Sequence, residues 1–212
     1  DLRIVSYNIE RDQLFDSEKK EAHRRIFQAI DPDIIGFQEI YNHSAQQTAD
    51  LIEEFLPSTA GEQWYSSKVS TDIITVSRYP ITKNFAIDQN SAFVIDLQER
   101  EKELLFVNAH TPCCANNDSR QKEIDNFMAF IRDAKEEGGV LTIDKNSPIV
   151  IVGDMNLVGY KQQQTTLVTG EILNTSIYGE SFLPDWDNTH FADTKPYTCL
   201  LYTSDAADDL LC

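Results

Sequence analysis

Basic residues are scarce in this chain: 18 lysines and arginines stand against 35 aspartates and glutamates, a formal net charge of −17 over 212 residues. Proteins that grip duplex nucleic acid present a basic surface, so long-range attraction to DNA is disfavoured unless the few cations gather on one face. Cysteine is sparse too. Four in a chain this long make no disulfide framework, no C-x-x-C spacing offers a zinc site, and the adjacent Cys113 and Cys114 would strain to join each other. The pair directly follows the strand that ends at His110, so it either lines a site there or, as expected, fills a small loop. No apolar stretch approaches the roughly 20 residues of a membrane helix. A signal peptide is absent, yet the chain starts at Asp1 rather than Met. It therefore reads as a fragment, a trimmed domain or a mature product, and the missing signal says little about location: a soluble protein is expected, cytoplasmic or secreted alike. No internal repeat, linker or second-domain boundary is visible, and the length and 41% hydrophobic content suit one domain with a large core.

What the chain does have is a set of apolar runs that end in polar chemistry. Pro148-Ile149-Val150-Ile151-Val152 reads as a buried strand and runs into Gly153-Asp154-Met155-Asn156. Alternation along an extended chain points Asp154 and Asn156 to one side. The first is an anion that can hold a cation or orient a water. The second is an amide that can donate to a phosphate oxygen without repelling it. Leu2 to Asn8 is a second such strand, Asp33 to Glu39 a third, and Leu104 to His110 a fourth, with Asn108 and His110 at alternate positions. One polar strand end is ordinary capping; four together point to a site.

Between these strands, Ser17 to Ile30 reads as a helix capped by Asp16 or Ser17, and Ser44 to Phe55 as a second with a Ser44/Gln47 capping box. Runs at Asp72 to Val76, Lys83 to Ile87 and Ala92 to Leu97, followed by a polar turn at Gln98 to Lys102, suggest consecutive antiparallel pairing. Ile124, Phe127, Met128, Ile131 and Ala134 give the stripe of a core helix near Asp118 to Glu137, stopped by Gly138-Gly139. Tyr160 to Leu167 reads as a short helix. Interspersed strands and helices favour a layered α/β fold.

Asn8 in Ser-Tyr-Asn-Ile, Glu39 in Phe-Gln-Glu-Ile, Asn108 and His110 in Asn-Ala-His, and Asp154 with Asn156 in Gly-Asp-Met-Asn occur in one order. That ordered set resembles the endonuclease/exonuclease/phosphatase (deoxyribonuclease-I-like) superfamily, as does Ser77-Arg78-Tyr79-Pro80-Ile81. Pancreatic deoxyribonuclease, apurinic endonucleases, inositol-polyphosphate 5-phosphatases and neutral sphingomyelinases are among its members. The resemblance covers residues 1 to about 198 and implies an α/β (α+β) four-layer sandwich, two packed mixed β-sheets flanked by helices, with the site at one end.

The resemblance also implies a division of labour. Glu39 is the expected principal metal ligand, for Mg²⁺ or alternatively Mn²⁺, and Asn8 lends an amide oxygen nearby. Asp154 orients or deprotonates the attacking water, or shares the metal. Asn156 and Asn108 donate to phosphate oxygens, and His110, if protonated, assists a phosphate oxygen or the leaving group. Arg120, with Gln121 beside it, and Arg78 are weaker candidates for phosphate contact. His23 reads as a solvated helix-face residue, His43 and His190 as loop residues, and Asp185-Trp186-Asp187-Asn188 as a turn.

The family's closing strand with its Asp and its Ser-Asp-His motif has no counterpart: Ser204-Asp205-Ala206 carries alanine where histidine belongs. Residues 199–212 are expected to be a non-family tail, of the kind sequencing read-through produces. The domain at 1–198 is then incomplete, its last strands missing, and such a chain is expected to fold poorly and turn over weakly. The parent protein is expected to be a metal-dependent phosphoesterase acting on a small or lipid-linked phosphoester. A nuclease acting on DNA or RNA is the alternative, and a non-catalytic partner-binding relative a further one. Retention of all six strand-end residues argues against the last.

Overall fold

Two parallel strand pairs decide where the polar strand ends lie. The computed structural model describes residues 2–98, 102–158 and 161–193. Its first sheet runs β1 (Ile4–Asn8), β2 (Ile34–Gln38), β4 (Ile74–Ser77), β3 (Tyr65–Ser67). The second runs β5 (Ile81–Ile87), β6 (Asn90–Asp96), β7 (Glu103–His110), β8 (Ile149–Asp154). β1 is parallel to β2 and β7 to β8, whereas every other neighbouring pair is antiparallel.

Strand alternation explains how the sheets stack. Ile34 of β2 faces the second sheet, clustering with Phe93 and Ile95 of β6 and with Leu104 and Phe106 of β7. Ile35 and Phe37 face the other way, against α1 (Lys20–Ile30) and α2 (Ala45–Phe55), where they meet Phe27, Ala49, Ile52 and Phe55. Each of these isoleucine, leucine and phenylalanine side chains, when fully buried, contributes about 1.5–3 kcal/mol of hydrophobic stabilisation. β2 is thus covered on both faces, which is why all five of its residues are buried. The α/β class, with two packed mixed sheets and helices, is as the strand pattern and the family resemblance implied.

The chain divides into two compact units. Of the described residues, those up to 110 with 146–155 hold both sheets, α1 and α2; those at 111–145 and from 156 to 193 hold α3 (Asn117–Ala134), α4 (Lys161–Thr169) and α5 (Thr175–Tyr178). In the second unit α3 is the organising element. The buried Asp125 accepts from the backbone N–H groups of Leu173 and Asn174 at 3.2 and 2.8 Å. Lys135, just past the helix end, donates to the carbonyls of Leu183, Pro184 and Asp185 and lies against the rings of Phe182 and Trp186. The expected tail at 199–212 lies outside the described residues.

Several expectations are corrected. The regular turns of α1 start at Lys20, later than the expected Ser17, and Lys19 makes no side-chain cap; Asp16 still supplies capping contacts, its carboxylate accepting from the Glu18 N–H and its carbonyl from the Lys19 and Lys20 N–H groups. The run beginning at Asp72 does not pair with its successor: β4 belongs to the first sheet, between β2 and β3, and only β5, β6 and β7 form the antiparallel series. α3 ends at Ala134, ahead of Gly138-Gly139. The α2 capping box formed as read, Ser44 Oγ accepting from Gln47 N and Gln47 Oε1 from Ser44 N. A 3-10 turn at Gln13–Phe15, β3 and α5 were not anticipated, being only three or four residues long and too short to show a period.

Candidate active site

Parallel pairing places Asn8 opposite Gln38 in the first sheet and His110 opposite Asp154 in the second. β1 also packs against β8, so the two pairs end together. There the Asn8 amide nitrogen donates to Glu39 Oε1 at 3.0 Å and to Asp154 Oδ2 at 2.9 Å, one amide gathering two carboxylates. Its oxygen accepts from the Glu10 N–H at 2.9 Å. The nitrogen, rather than the oxygen expected from the resemblance, therefore faces the carboxylates.

The backbone is bent to make this possible. Glu10, Arg11 and Asp12 are all left-handed, with φ of 44, 54 and 63°, and Glu39 has φ 65°. Three consecutive residues of this kind are uncommon outside glycine, and such strain is concentrated at functional sites. The turn brings the Arg11 N–H to Glu39 Oε2 at 3.0 Å and the Asp12 N–H to the Glu39 carbonyl at 2.9 Å. Asp12 also binds the His43 ring at 2.9 Å, and that ring stacks on Phe15 at 3.6 Å. Lys68 closes the neighbouring loop by donating to the carbonyls of Ile40, Tyr41 and His43. His43, read as a loop residue, is thus a structural pin.

His110 Nδ1 lies 2.6 Å from Asp72 Oδ2, and its Nε2 lies 4.0 Å from Asp154 Oδ2. Burial is the strongest single influence on the imidazole and favours its neutral form. The Asp72 hydrogen bond and the charges of Asp72, Asp154 and Glu39 together outweigh it and raise the pKa above the ordinary 6.5. Tyr41 is 42% exposed, and its phenol is pushed up to about 12 by burial of part of the ring, by the charges of Asp72 and Glu39, and by a hydrogen bond to Asp72. Sequence reasoning missed both Asp72 and Tyr41. The polar strand ends it followed were C-terminal ones. Asp72 precedes β4, which runs antiparallel to β2 and so brings its N-terminal end to the same place.

Three candidates are placed elsewhere. Asn108 is fully buried between the sheets, where Gly36 leaves room for it: a Cβ on Gly36 would lie 3.0 Å from the Asn108 amide. Its oxygen accepts from Gln38 Nε2 at 2.7 Å, and its nitrogen faces the Phe37 and Ile74 carbonyls and Thr75 Oγ1 at 3.2–3.4 Å. Those bonds engage both ends of the amide inside the core, so Asn108 ties the sheets together instead of presenting a donor to phosphate. Arg78 sits at the far end of β2 from Glu39, pairing with Asp31 at 3.1 Å and lying 4.4 Å over the Trp64 ring. Arg120 is wholly buried in the second unit. It donates to Gln163 Oε1 at 2.9 Å, Asn117 Oδ1 at 2.5 Å and the carbonyls of Pro112 and Cys114, holding the loop that precedes α3.

Asn156, also in the second unit, is left-handed at φ 47° and donates to the Thr111 carbonyl at 2.9 Å. Gln121 is buried and bonds Asp125 and Thr166. His23 is buried rather than solvated, its Nδ1 3.2 Å from the Tyr7 hydroxyl. His190 is exposed, and Asp185 to Asn188 do form a turn, with Asn188 N–H on the Asp185 carbonyl.

Among the described residues no three His, Cys, Asp or Glu side chains stand in metal-binding geometry. The donors present nonetheless fit one kind of cation. Glu39 and Asp154 offer hard oxygens gathered by a single amide, and their charges with that of Asp72 concentrate negative potential on His110. A small divalent ion that takes one or two carboxylates and completes its shell with water matches that set.

Residues 5–199 match the model of the Endonuclease/Exonuclease/phosphatase family, and the chain belongs to it. Solved structures share the fold at low identity. The catalytic domain of human Nocturnin, with bound sulfate, is 13% identical with a TM-score of 0.59 over 84% of this chain and 76% of that one. A mannosyl-6-phosphatase of Bacteroides thetaiotaomicron is 17% identical, TM-score 0.53, over 74% and 66%. Sphingomyelinase C of Streptomyces griseocarneus is 15% identical, TM-score 0.53, over 78% and 68%. This chain therefore spans about two thirds of the latter two. No curated protein sequence matches it.

Proposed function

We propose that this chain carries the site of a divalent-metal-dependent phosphoesterase acting on a small or lipid-linked phosphoester. The observation that carries the reading is the Asn8 amide bridging Glu39 and Asp154, with His110 4.0 Å from the second carboxylate. Glu39 would hold Mg²⁺ or Mn²⁺, with Asp154 beside it. Such a cation, when bound, offsets charge on phosphoryl oxygens and acidifies bound water.

The protein's own groups supply the rest. Asp154 orients the attacking water and takes its proton. His110, kept protonated above its ordinary range by Asp72, donates to a phosphate oxygen or the leaving group. Asn8 spaces the two carboxylates so that their mutual repulsion is offset before any cation arrives. Asn156 is proposed as a phosphate donor from its sequence position in Gly153-Asp154-Met155-Asn156 alone, a role in which its amide would have to leave the Thr111 carbonyl.

A net charge of −17 favours small substrates over polyanions. The relatives named for mannosyl-6-phosphate and sphingomyelin chemistry agree with that choice. The test is a panel of sugar phosphates, sphingomyelin and choline phosphodiesters, and oligonucleotides, assayed with Mg²⁺, with chelator and over a salt series. Mg²⁺-dependent hydrolysis of a small or lipid ester, lowered about 10²-fold or more by Glu39→Gln and by Asp154→Asn, is expected. Turnover unaffected by chelator would overturn the metal-dependent reading. Preferred cleavage of oligonucleotides that weakens steeply with salt would replace the substrate class with nucleic acid.

A further inference from the structure

Cys113 and Cys114 lie outside the chemistry just described, and their setting is unusual. Both are exposed, and their Sγ atoms are 2.7 Å apart. The backbone beneath them is tied at three successive carbonyls. Arg120 donates to those of Pro112 and Cys114, and Asn116 Nδ2 donates to that of Cys113 at 3.2 Å. Cys114 is held left-handed at φ 64°, a conformation disfavoured for a residue with a Cβ. The wholly buried guanidinium of Arg120, itself fixed by Gln163 and Asn117, anchors this arrangement. Loop fillers need no such anchorage; two thiols presented side by side to solvent on a pinned backbone do.

We propose that Cys113 and Cys114 form a redox modification site, a vicinal dithiol that closes reversibly to an intramolecular disulfide by exchange with a low-molecular-weight disulfide. One cysteine thiolate attacks a sulfur of the small disulfide, forming a mixed disulfide and expelling one small thiolate. The second cysteine, deprotonated, attacks the protein sulfur of that mixed disulfide and expels the other. Two cysteine thiols are oxidised, one small disulfide is reduced to two thiols, and the two protons pass to the departing sulfurs.

The neighbouring sulfur, 2.7 Å away, is placed to displace the small thiol from the mixed disulfide as an intramolecular nucleophile. Reversibility follows from the covalent frame. Consecutive Cα atoms lie about 3.8 Å apart, below the roughly 4.4 Å lower bound of ordinary disulfides, so the ring is readily reduced. Exposed and strained disulfides of this kind are the labile ones.

The experiment equilibrates the purified protein with graded mixtures of reduced and oxidised glutathione, quenches with an alkylating agent, and analyses the tryptic peptide 103–120 by mass. The same series is run on the chain with Cys199 and Cys212 replaced by serine, and on C113S and C114S. Under oxidising mixtures the peptide should become lighter by two hydrogens and resist alkylation, with dithiothreitol restoring both sites. Each single variant should instead carry glutathione on its remaining cysteine. A peptide that stays doubly alkylated at full oxidation would overturn the proposal. So would stable glutathione adducts on the unaltered pair, or cross-links from the pair to Cys199 or Cys212.

Discussion

His110 Nδ1 and Asp72 Oδ2 are 2.6 Å apart, a contact between the last residue of β7 and a residue just ahead of β4 in the other sheet. Burial alone would depress the imidazole; Asp72 reverses that, with help from Asp154 and Glu39. The raised pKa keeps His110 protonated to higher pH than a free histidine. Asp72→Asn removes a charge and leaves the burial, so the pKa should drop. If the protonated form is the active one, the alkaline fall of the pH–rate profile should move to lower pH, with kcat down about 10²-fold and KM little changed. A profile that keeps its alkaline limb in place would show that His110 does not act as an acid.

The Gly36–Asn108 contact makes a packing prediction. Gly36→Ala should cost about 1–3 kcal/mol, because the added methyl presses on a fully buried amide 3.0 Å away. Asn108→Ala alone should cost a similar amount by leaving Gln38 Nε2 without its partner. The double variant should be less destabilised than the two costs combined, as denaturant titration of all four proteins would reveal.

Arg120 separates a structural from a substrate-binding role. Its fork is satisfied by Gln163, Asn117 and two carbonyls, so Arg120→Met should destabilise the chain by about 2–4 kcal/mol while leaving KM for a phosphoester unchanged. A large rise in KM with unaltered melting would restore the phosphate-contact reading.

His23 carries a pH dependence of stability. Burial, the main cause, holds its pKa below the ordinary 6.5, so the folded chain binds that proton less well than the unfolded chain. Its stabilising contribution is present above the unfolded pKa and is lost as pH falls through the folded one. Melting temperature should therefore drop between about pH 7.5 and about pH 5, and His23→Phe, which keeps the ring packing on Tyr7, should flatten part of that drop. An identical slope in the variant would assign the acid sensitivity to other groups.

The primary structure by itself determined the strands and their polar ends. Continuous apolar runs finishing at Asn8, Glu39, His110 and Asp154 are a local pattern, and local pattern is what a linear reading detects. The same holds for the α2 capping box and for the family, since its motifs are contiguous. Only the tertiary structure decided what those ends meet. Parallel pairing of β1 with β2 and of β7 with β8, and antiparallel entry of β4, are long-range choices set by burial of whole faces. From them follow the Asn8 bridge, the Asp72 partner of His110 and the recruitment of Tyr41. The same choices turned Asn108, Arg78 and Arg120 inward or away. A polar residue near a strand end or helix start looks alike in one dimension whether it faces a substrate or a buried carbonyl, and only packing distinguishes the two.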